Sequence, residues 1–296
     1  MDKLSEMGLT LDQFICDTFQ SSIALITPHR QIAHLPDDVD AIHDFRVGLR
    51  RLRSLLRSFR PLLDEKWAGE SRVKLAWLDS FIMPVRDGDV LKLRLLASAE
   101  RLKGDLNPDV IDSLVGLLEL HSRKDRARLK IAMESQKCTD LLNEISGWNM
   151  HTIKVLNQES SPVELLKELN KVTWKAIKKE GDEIRQDSSD HKLHELRIKI
   201  KRARYLAEAC APVVGKKLKE RAKQYEEMQN ILGDHQDSFV ISQWLAIREQ
   251  PTREYQTTVT TLLEEEIDQR FVLRHKWHLL WHEVTEGKKL ESPKLK

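Results

Sequence analysis

Two stretches of this chain concentrate cations in a pattern suited to holding phosphate. The first, Ala41 to Pro61, reads AIHDFRVGLRRLRSLLRSFRP, and about 150 positions later Lys192 to Pro212 reads KLHELRIKIKRARYLAEACAP. Laid on a helix, the first copy shows two stripes. Ile42, Phe45, Leu49, Leu52, Leu56 and Phe59 recur at steps of three and four, and His43, Arg46, Arg50, Arg53, Arg57 and Arg60 follow one residue behind. Each stripe covers an arc of about 100°, so burying the apolar one sets the basic one along the edge of a core. A solvated helix face usually mixes signs, with Asp or Glu three or four residues from Lys or Arg. Between Phe45 and Leu63 there are six arginines, Arg51 among them, and no acid. Like charges at i,i+4 disfavour a lone helix by about 0.2–0.5 kcal/mol per pair, a cost that a bound anion would offset. Arginine stays charged and its planar fork grips phosphate through paired hydrogen bonds, so phosphate binding is the chemistry this stripe suits.

The second copy keeps His194, Arg197, Lys201, Arg202 and Arg204 in register with His43, Arg46, Arg50, Arg51 and Arg53, and Pro212 with Pro61. It departs where Glu208 replaces Arg57 and Ala211 replaces Arg60. The shared pattern, His-x2-Arg-x3-(Arg/Lys)-Arg-x-Arg, points to two helices related by an internal symmetry. The candidate phosphate-binding residues are therefore His43, Arg46, Arg50, Arg51, Arg53 and Arg57 with His194, Arg197, Lys201, Arg202 and Arg204.

HDFRVGLRRLRSLLRSF and MPVRDGDVLKLRLL in the first half, with LHELRIKIKRARYLAE and NILGDHQDSFVISQWL in the second, together resemble the CHAD domain, the conserved histidine α-helical domain. The resemblance spans roughly the whole chain, and the combination is far more specific than any one basic run. It implies an all-α fold of two helical bundles, an internal duplication related by a pseudo-twofold axis, with a basic central cavity that binds inorganic polyphosphate. The Glu-x-Glu-x-Lys motif of the triphosphatase domain sometimes fused to CHAD domains does not occur, so a stand-alone binding module is expected. Such a module would need no cofactor and could attach to polyphosphate granules.

Composition agrees with long helices: 40% apolar and 32% charged residues, only 11 Gly and 9 Pro, and no sustained period-2 run. With a formal net charge of +2, the cations are concentrated rather than abundant. Cys16, Cys138 and Cys210 are far apart, without metal-like or redox spacing, and read as buried apolar residues in a reducing compartment. No signal segment and no long apolar run is seen, which predicts a soluble cytoplasmic protein with no membrane partner.

The stretch 9–148 is read as an N-terminal helical repeat, 149–161 as a linker, 162–285 as a C-terminal repeat and 286–296 as a disordered tail. A helix over 9–27 starts near Thr10 or Asp12. Pro36-Asp37-Asp38 and Ser188-Ser189-Asp190 precede the basic helices as N-terminal signals whose acids could also hold the repeated histidines. A helix over 65–83 is expected to end at Pro84, and Arg86-Asp87-Gly88-Asp89 to open another, its carboxylates pairing with an arginine of the basic helix. Asp237 is their counterpart in the second half. The basic runs 121–130 and 216–223 either extend the site or face solvent. His278 and His282 have the spacing of helical metal ligands but lack a completing set, so no metal is expected.

No Gly-x4-Gly-Lys-Ser/Thr loop, Gly-x-Gly-x-x-Gly or Gly-x-Ser-x-Gly occurs. Binding without turnover is the leading reading. A non-specific nucleic-acid binder is the alternative, disfavoured because only Tyr205 lies beside the basic positions where single-strand binders interleave stacking aromatics. A metal-dependent phosphoanhydride hydrolase using Asp87 or Asp89 is the third. In the leading reading His43 and His194 donate hydrogen bonds to phosphate, and affinity rises as pH falls from 8 to 6.

Overall fold

The computed structural model describes residues 3–29, 39–153, 155–156, 161–249 and 251–287. The Pro36-Asp37-Asp38 signal, five of the linker positions and residues 288–296 of the expected tail lie outside the described residues. The described residues form ten α-helices: α1 Lys3–Glu6, α2 Leu11–Ile23, α3 Val39–Ser58, α4 Glu65–Arg101, α5 Pro108–Met133, α6 Gln136–Ser146, α7 Pro162–Gly181, α8 Asp190–Val214, α9 Lys216–Ala246 and α10 Arg253–Glu286. Among them the fold is all-α. The one strand-like feature is an isolated antiparallel bridge, Leu63 with Val155, which ties part of the linker to the chain just before α4. Thr10 caps α2, its Oγ1 accepting from the Gln13 amide at 3.2 Å.

Pro84 does not end a helix. α4 runs through it, so Arg86, Asp87, Gly88 and Asp89 are mid-helix residues rather than a new start. A proline inside a helix deprives one carbonyl, here that of Ser80, of its donor. Ser80 is exposed, and Leu75, Leu78, Ile82 and Val85 are buried on either side of the break. That packing holds the helix across the proline.

The helices are grouped in two compact units, each drawing on both sequence repeats. The first comprises Met1–Arg86, Ser122–Trp174 and Arg202–Ala222; the second comprises Asp87–His121, Lys175–Lys201 and Lys223–Lys296. Ile42, Phe45, Leu49, Leu52, Leu56 and Phe59 of α3 are all buried in the first unit's core, with Phe14 and Phe19 of α2 and Tyr205, Leu206 and Cys210 of α8. Phe19, Phe59, Trp67 and Trp148 form a run of ring contacts through it. The three cysteines are free and buried, and burial pushes the Cys138 thiol up to about 11 and Cys210 to about 12.

Gly48 fixes where α2 crosses α3. A Cβ at this position would lie 2.8 Å from Ile26 Cγ1 and 2.9 Å from the Ser22 carbonyl oxygen, so the two backbones approach only because the side chain is absent.

The second unit buries charge as well as apolar surface. Beside Leu95, Leu114, Ile241, Val259 and Leu262, the carboxylate of Glu266 is buried against Arg94, whose Nε lies 2.9 Å from one oxygen and whose Nη2 lies 2.6 Å from the same oxygen. Ser98 Oγ donates to the other oxygen at 2.9 Å. His235 is buried with Nε2 3.3 Å from Asp190 Oδ1, and Arg274 donates to that same oxygen at 2.6 Å. Asp190 therefore holds Arg274 rather than the repeated His194.

Two outcomes follow from this packing. Gly48→Ala gains about 1 kcal/mol of helix propensity but forces backbone and Ile26 apart, with an expected net loss of about 1–3 kcal/mol in chemical denaturation; a gain would show that the crossing can relax. Burial first, then Arg274, pushes His235 down to about 4, with Asp190 opposing. The unfolded chain takes up this proton near pH 6.5 and the folded one only near 4, so the stability held above 6.5 drains away as pH falls toward 4, by about 3 kcal/mol in full. His235→Gln should lose less stability than wild type between pH 7 and 5, and equal losses would remove His235 from the acid response.

Candidate phosphate-binding site

In α3 the basic row lies at the margin of the buried stripe, as its spacing dictates. Arg46, Arg50, Arg51 and Arg53 are half-buried, while His43, Arg57 and Arg60 are exposed. On α8, His194, Arg197, Lys201, Arg202 and Arg204 are all half-buried, beside buried Leu193, Leu196, Ile200 and Ala203.

Within the first unit the two basic copies converge. Arg50 Nε on α3 donates to Tyr205 Oη on α8 at 3.3 Å. Burial, then Arg57 and Arg72, holds the Arg202 guanidinium below its ordinary value. Arg72 on α4 is lowered likewise, by burial and then by Arg57, Arg53 and Arg60. A lowered arginine is one whose charge is disfavoured where it stands. Among the described residues, Arg57, Arg72 and Arg202 form no ion pair. Arg51 Nε, also in this unit, is buried with no hydrogen-bond partner among them. Beside this group, Arg60, Arg72, Leu56, Glu65, Ala68 and Gly69 line a recess of about 220 Å³.

Part of the stripe is compensated from elsewhere in the chain. Asp79 on α4 pairs with Arg53, and Glu65 with Arg60. Arg204 Nε donates to Glu208 Oε1 at 2.6 Å. The acids that the second copy and α4 supply thus orient Arg53, Arg60 and Arg204, while Arg72 and Arg202 stand near other guanidinium groups without an acid partner among the described residues. Arg72 was not legible as a site residue because it sits outside both repeats, flanked by Ser71 and Val73 with no other cation beside it.

The second unit holds the other part of the second copy. His194 Nδ1 lies 2.8 Å from Gln236 Oε1 on α9. Burial, with smaller contributions from Arg197, Lys201 and His191, holds His194 below its ordinary value, the Gln236 contact acting the other way. The pH window expected for this histidine therefore moves down in the free protein, without a change of sign. Burial raises Asp237, which Arg197 and Arg94 pull down and Asp234 and Asp87 push up. Asp87 thus acts on Asp237 of α9, while Asp79 pairs with Arg53 of the first basic helix.

The remaining basic runs are largely exposed with mixed signs, although Arg126 and Arg221 are half-buried and Arg221 lies 3.9 Å from the centroid of the Trp174 ring. Arg123, Lys124, Arg128 and Lys130 are exposed, with Asp125 3.9 Å from Arg128 and Glu134 3.9 Å from Lys130. Lys216, Lys217, Lys219 and Lys223 are exposed too, Lys216 being 3.8 Å from Glu220. At the end of α10, Trp277 stacks on Trp281 with centroids 5.2 Å apart, and His282 Nε2 pairs with Glu286 at 2.8 Å. Among the described residues no group of three or more His, Cys, Asp or Glu is placed to hold a metal ion, and no helix is long and apolar enough to cross a membrane.

A family model described as the CHAD domain matches residues 19–246. Two curated proteins from strains of Mycobacterium tuberculosis, both named as uncharacterized, are 29% identical over 239 residues. That alignment covers 78% of this chain and 45% of each relative, so the chain spans about half the length of the curated relatives it matches. Among solved structures, PptA from Streptomyces chartreusis superposes with a TM-score of 0.73 at 17% identity, covering 92% of this chain and 98% of that one. The CHAD domain from the plant Ricinus communis gives 0.72 at 20% identity, covering 97% and 94%.

Proposed function

This chain belongs to the CHAD-domain family, and from that membership together with its arginine cluster we propose that it binds inorganic polyphosphate without turning it over. The observation that carries the reading is the convergence of Arg57, Arg72 and Arg202 from α3, α4 and α8, where burial and then neighbouring guanidinium groups disfavour the charges of Arg72 and Arg202. A polyanion relieves that repulsion at each guanidinium it meets, and a string of phosphoryl groups supplies many such partners on one molecule. Arg46, Arg50, Arg51 and Arg53 on α3, with Arg197, Lys201 and Arg204 on α8, extend the contact along the polymer, and His43 and His194 complete it. We take the two basic helices, as copies of a pseudo-twofold duplication, to line one cavity.

Partial burial strengthens each charged hydrogen bond to phosphate relative to water. Arg53 and Arg60, already held by Asp79 and Glu65, lose less freedom when phosphate arrives than unanchored side chains would. Residence in the cytoplasm, attached to polyphosphate granules, belongs to the same proposal. Nucleic acid enters as a competing polyanion. The scarcity of aromatics beside the basic positions supports ranking it second, since Tyr205 is buried and cannot offer its face to a base.

The first test is competition: long-chain polyphosphate should displace single-stranded DNA and tRNA at about physiological ionic strength, and Arg46→Ala/Arg197→Ala should abolish the advantage. Equal competition by nucleic acid would sink the ligand assignment. Second, Arg50→Ala/Lys201→Ala should make the dependence of log affinity on log salt shallower, because fewer phosphate contacts release fewer counterions; an unchanged slope excludes both residues. Third, Arg72→Met should raise the melting temperature of the unliganded protein at low salt while weakening polyphosphate binding. A variant less stable without ligand would mean that Arg72 is not under like-charge repulsion.

A further inference from the structure

One face of α9 underlies the second basic copy. Gly233, Gln236 and Asp237, at i, i+3 and i+4, meet His194 and Arg197, at i and i+3 on α8. A Cβ built on Gly233 would lie 3.7 Å from Arg197 Nε and 3.9 Å from Nη2, so the guanidinium rests along bare helix backbone. A side chain larger than methyl would take that space. Three positions on, Gln236 Oε1 lies 2.8 Å from His194 Nδ1. An amide oxygen can only accept, so Nδ1 carries the proton and a neutral imidazole presents the lone pair of Nε2 at its other edge.

That lone pair repels a phosphate oxygen. Resting on the polyphosphate reading, we propose that Gln236 is a positioning residue that fixes the His194 proton on Nδ1 and so couples phosphate binding at Nε2 to the uptake of one proton, with Gly233 leaving room for Arg197 beside it. The balance is simple: solvent supplies one proton to Nε2, Nε2–H donates to a phosphate oxygen, and no bond to phosphorus is made or broken.

The charged groups acting on His194 are Arg197, Lys201 and His191 on α8, and those acting on Asp237, next to Gln236, are Arg197 on α8, Asp234 on α9, and Arg94 and Asp87 on α4. Burial and the α8 cations keep His194 neutral in the free protein at neutral pH. A polyanion neutralises those cations and so raises the histidine's proton affinity. Binding then tightens as pH falls through the bound-state value, and the gain is complete only below the free-state value, which lies under 6.5.

Nitrogen-15 spectra of the free protein at pH 8 test the tautomer without any ligand: a protonated Nδ1 is expected, and an Nε2–H tautomer overturns the assignment. Calorimetry with inorganic polyphosphate at pH 7, in buffers of different ionisation enthalpy, should show net proton uptake that falls in His194→Gln. Gln236→Glu places a carboxylate on Nδ1–H and should move the pH profile up by about one unit, reducing uptake at pH 7. Gln236→Met removes the acceptor and should move the profile down. Unchanged profiles in both variants, with melting temperatures showing them folded, would overturn the coupling and leave the ligand reading standing. Failure of the wild type to bind polyphosphate overturns that reading and the coupling together, while the nitrogen spectrum still decides the tautomer.

Discussion

A helix that must bury one row of side chains while carrying like charges in the adjacent row is the constraint on which the first unit depends. Ile42 through Phe59 cannot leave the core without loss of most of its aromatic packing, so the arginines of α3 are held at the boundary whether or not their charges are matched. The rest of the unit works around that position. α4 brings Asp79 and Glu65 to two of the arginines and Arg72 toward others. Tyr205 accepts from a third, and Gly48 lets α2 seal the opposite side of the helix.

Arginine does a different job in the second unit. Arg94 grips the buried carboxylate of Glu266, Arg270 Nη1 donates to the Ser238 carbonyl at 3.1 Å and to Ser242 Oγ at 2.7 Å, and Arg274 joins Asp190 to the Gln186 carbonyl at 3.1 Å. These guanidinium groups have their donors directed into the protein and are parts of its internal structure. Removing one partner of such a buried pair leaves the other charge uncompensated, a loss of about 3–5 kcal/mol. The contrast separates cations that complete a core from cations left at its margin, and it turns on where the acids stand rather than on how many arginines are present.

Periodicity alone was enough to place the buried and basic rows of α3, because both depend only on residues within a few turns of each other. The same holds for the repeat in α8, whereas the local mixture of signs in the basic runs on α5 and α9 leaves open whether they extend the site or face solvent. Pro84 misled because the energy that keeps α4 continuous comes from packing of Leu78, Ile82 and Val85 against distant parts of the chain, which no local rule contains. The pairing of Arg53 with Asp79, the role of Arg72 and the Gln236 contact to His194 were illegible for a related reason. Each joins residues 15 or more positions apart on separate helices, and nothing in their own neighbourhoods marks them.

The first unit is assembled from segments that leave the ribosome at very different times. Phe14, Phe19, Phe45 and Phe59 are made early, yet Tyr205, Leu206, Cys210 and Val213, which share their core, come roughly 150 residues after Phe59. At about 5–20 residues per second the early aromatic surface waits on the order of ten seconds for its last helix. Over that interval the nascent chain carries an apolar face beside a row of arginines, of which Arg53 and Arg60 have their acids on α4. The interleaving that brings two copies of one motif together in the finished protein therefore leaves the first core incomplete until α8 is made.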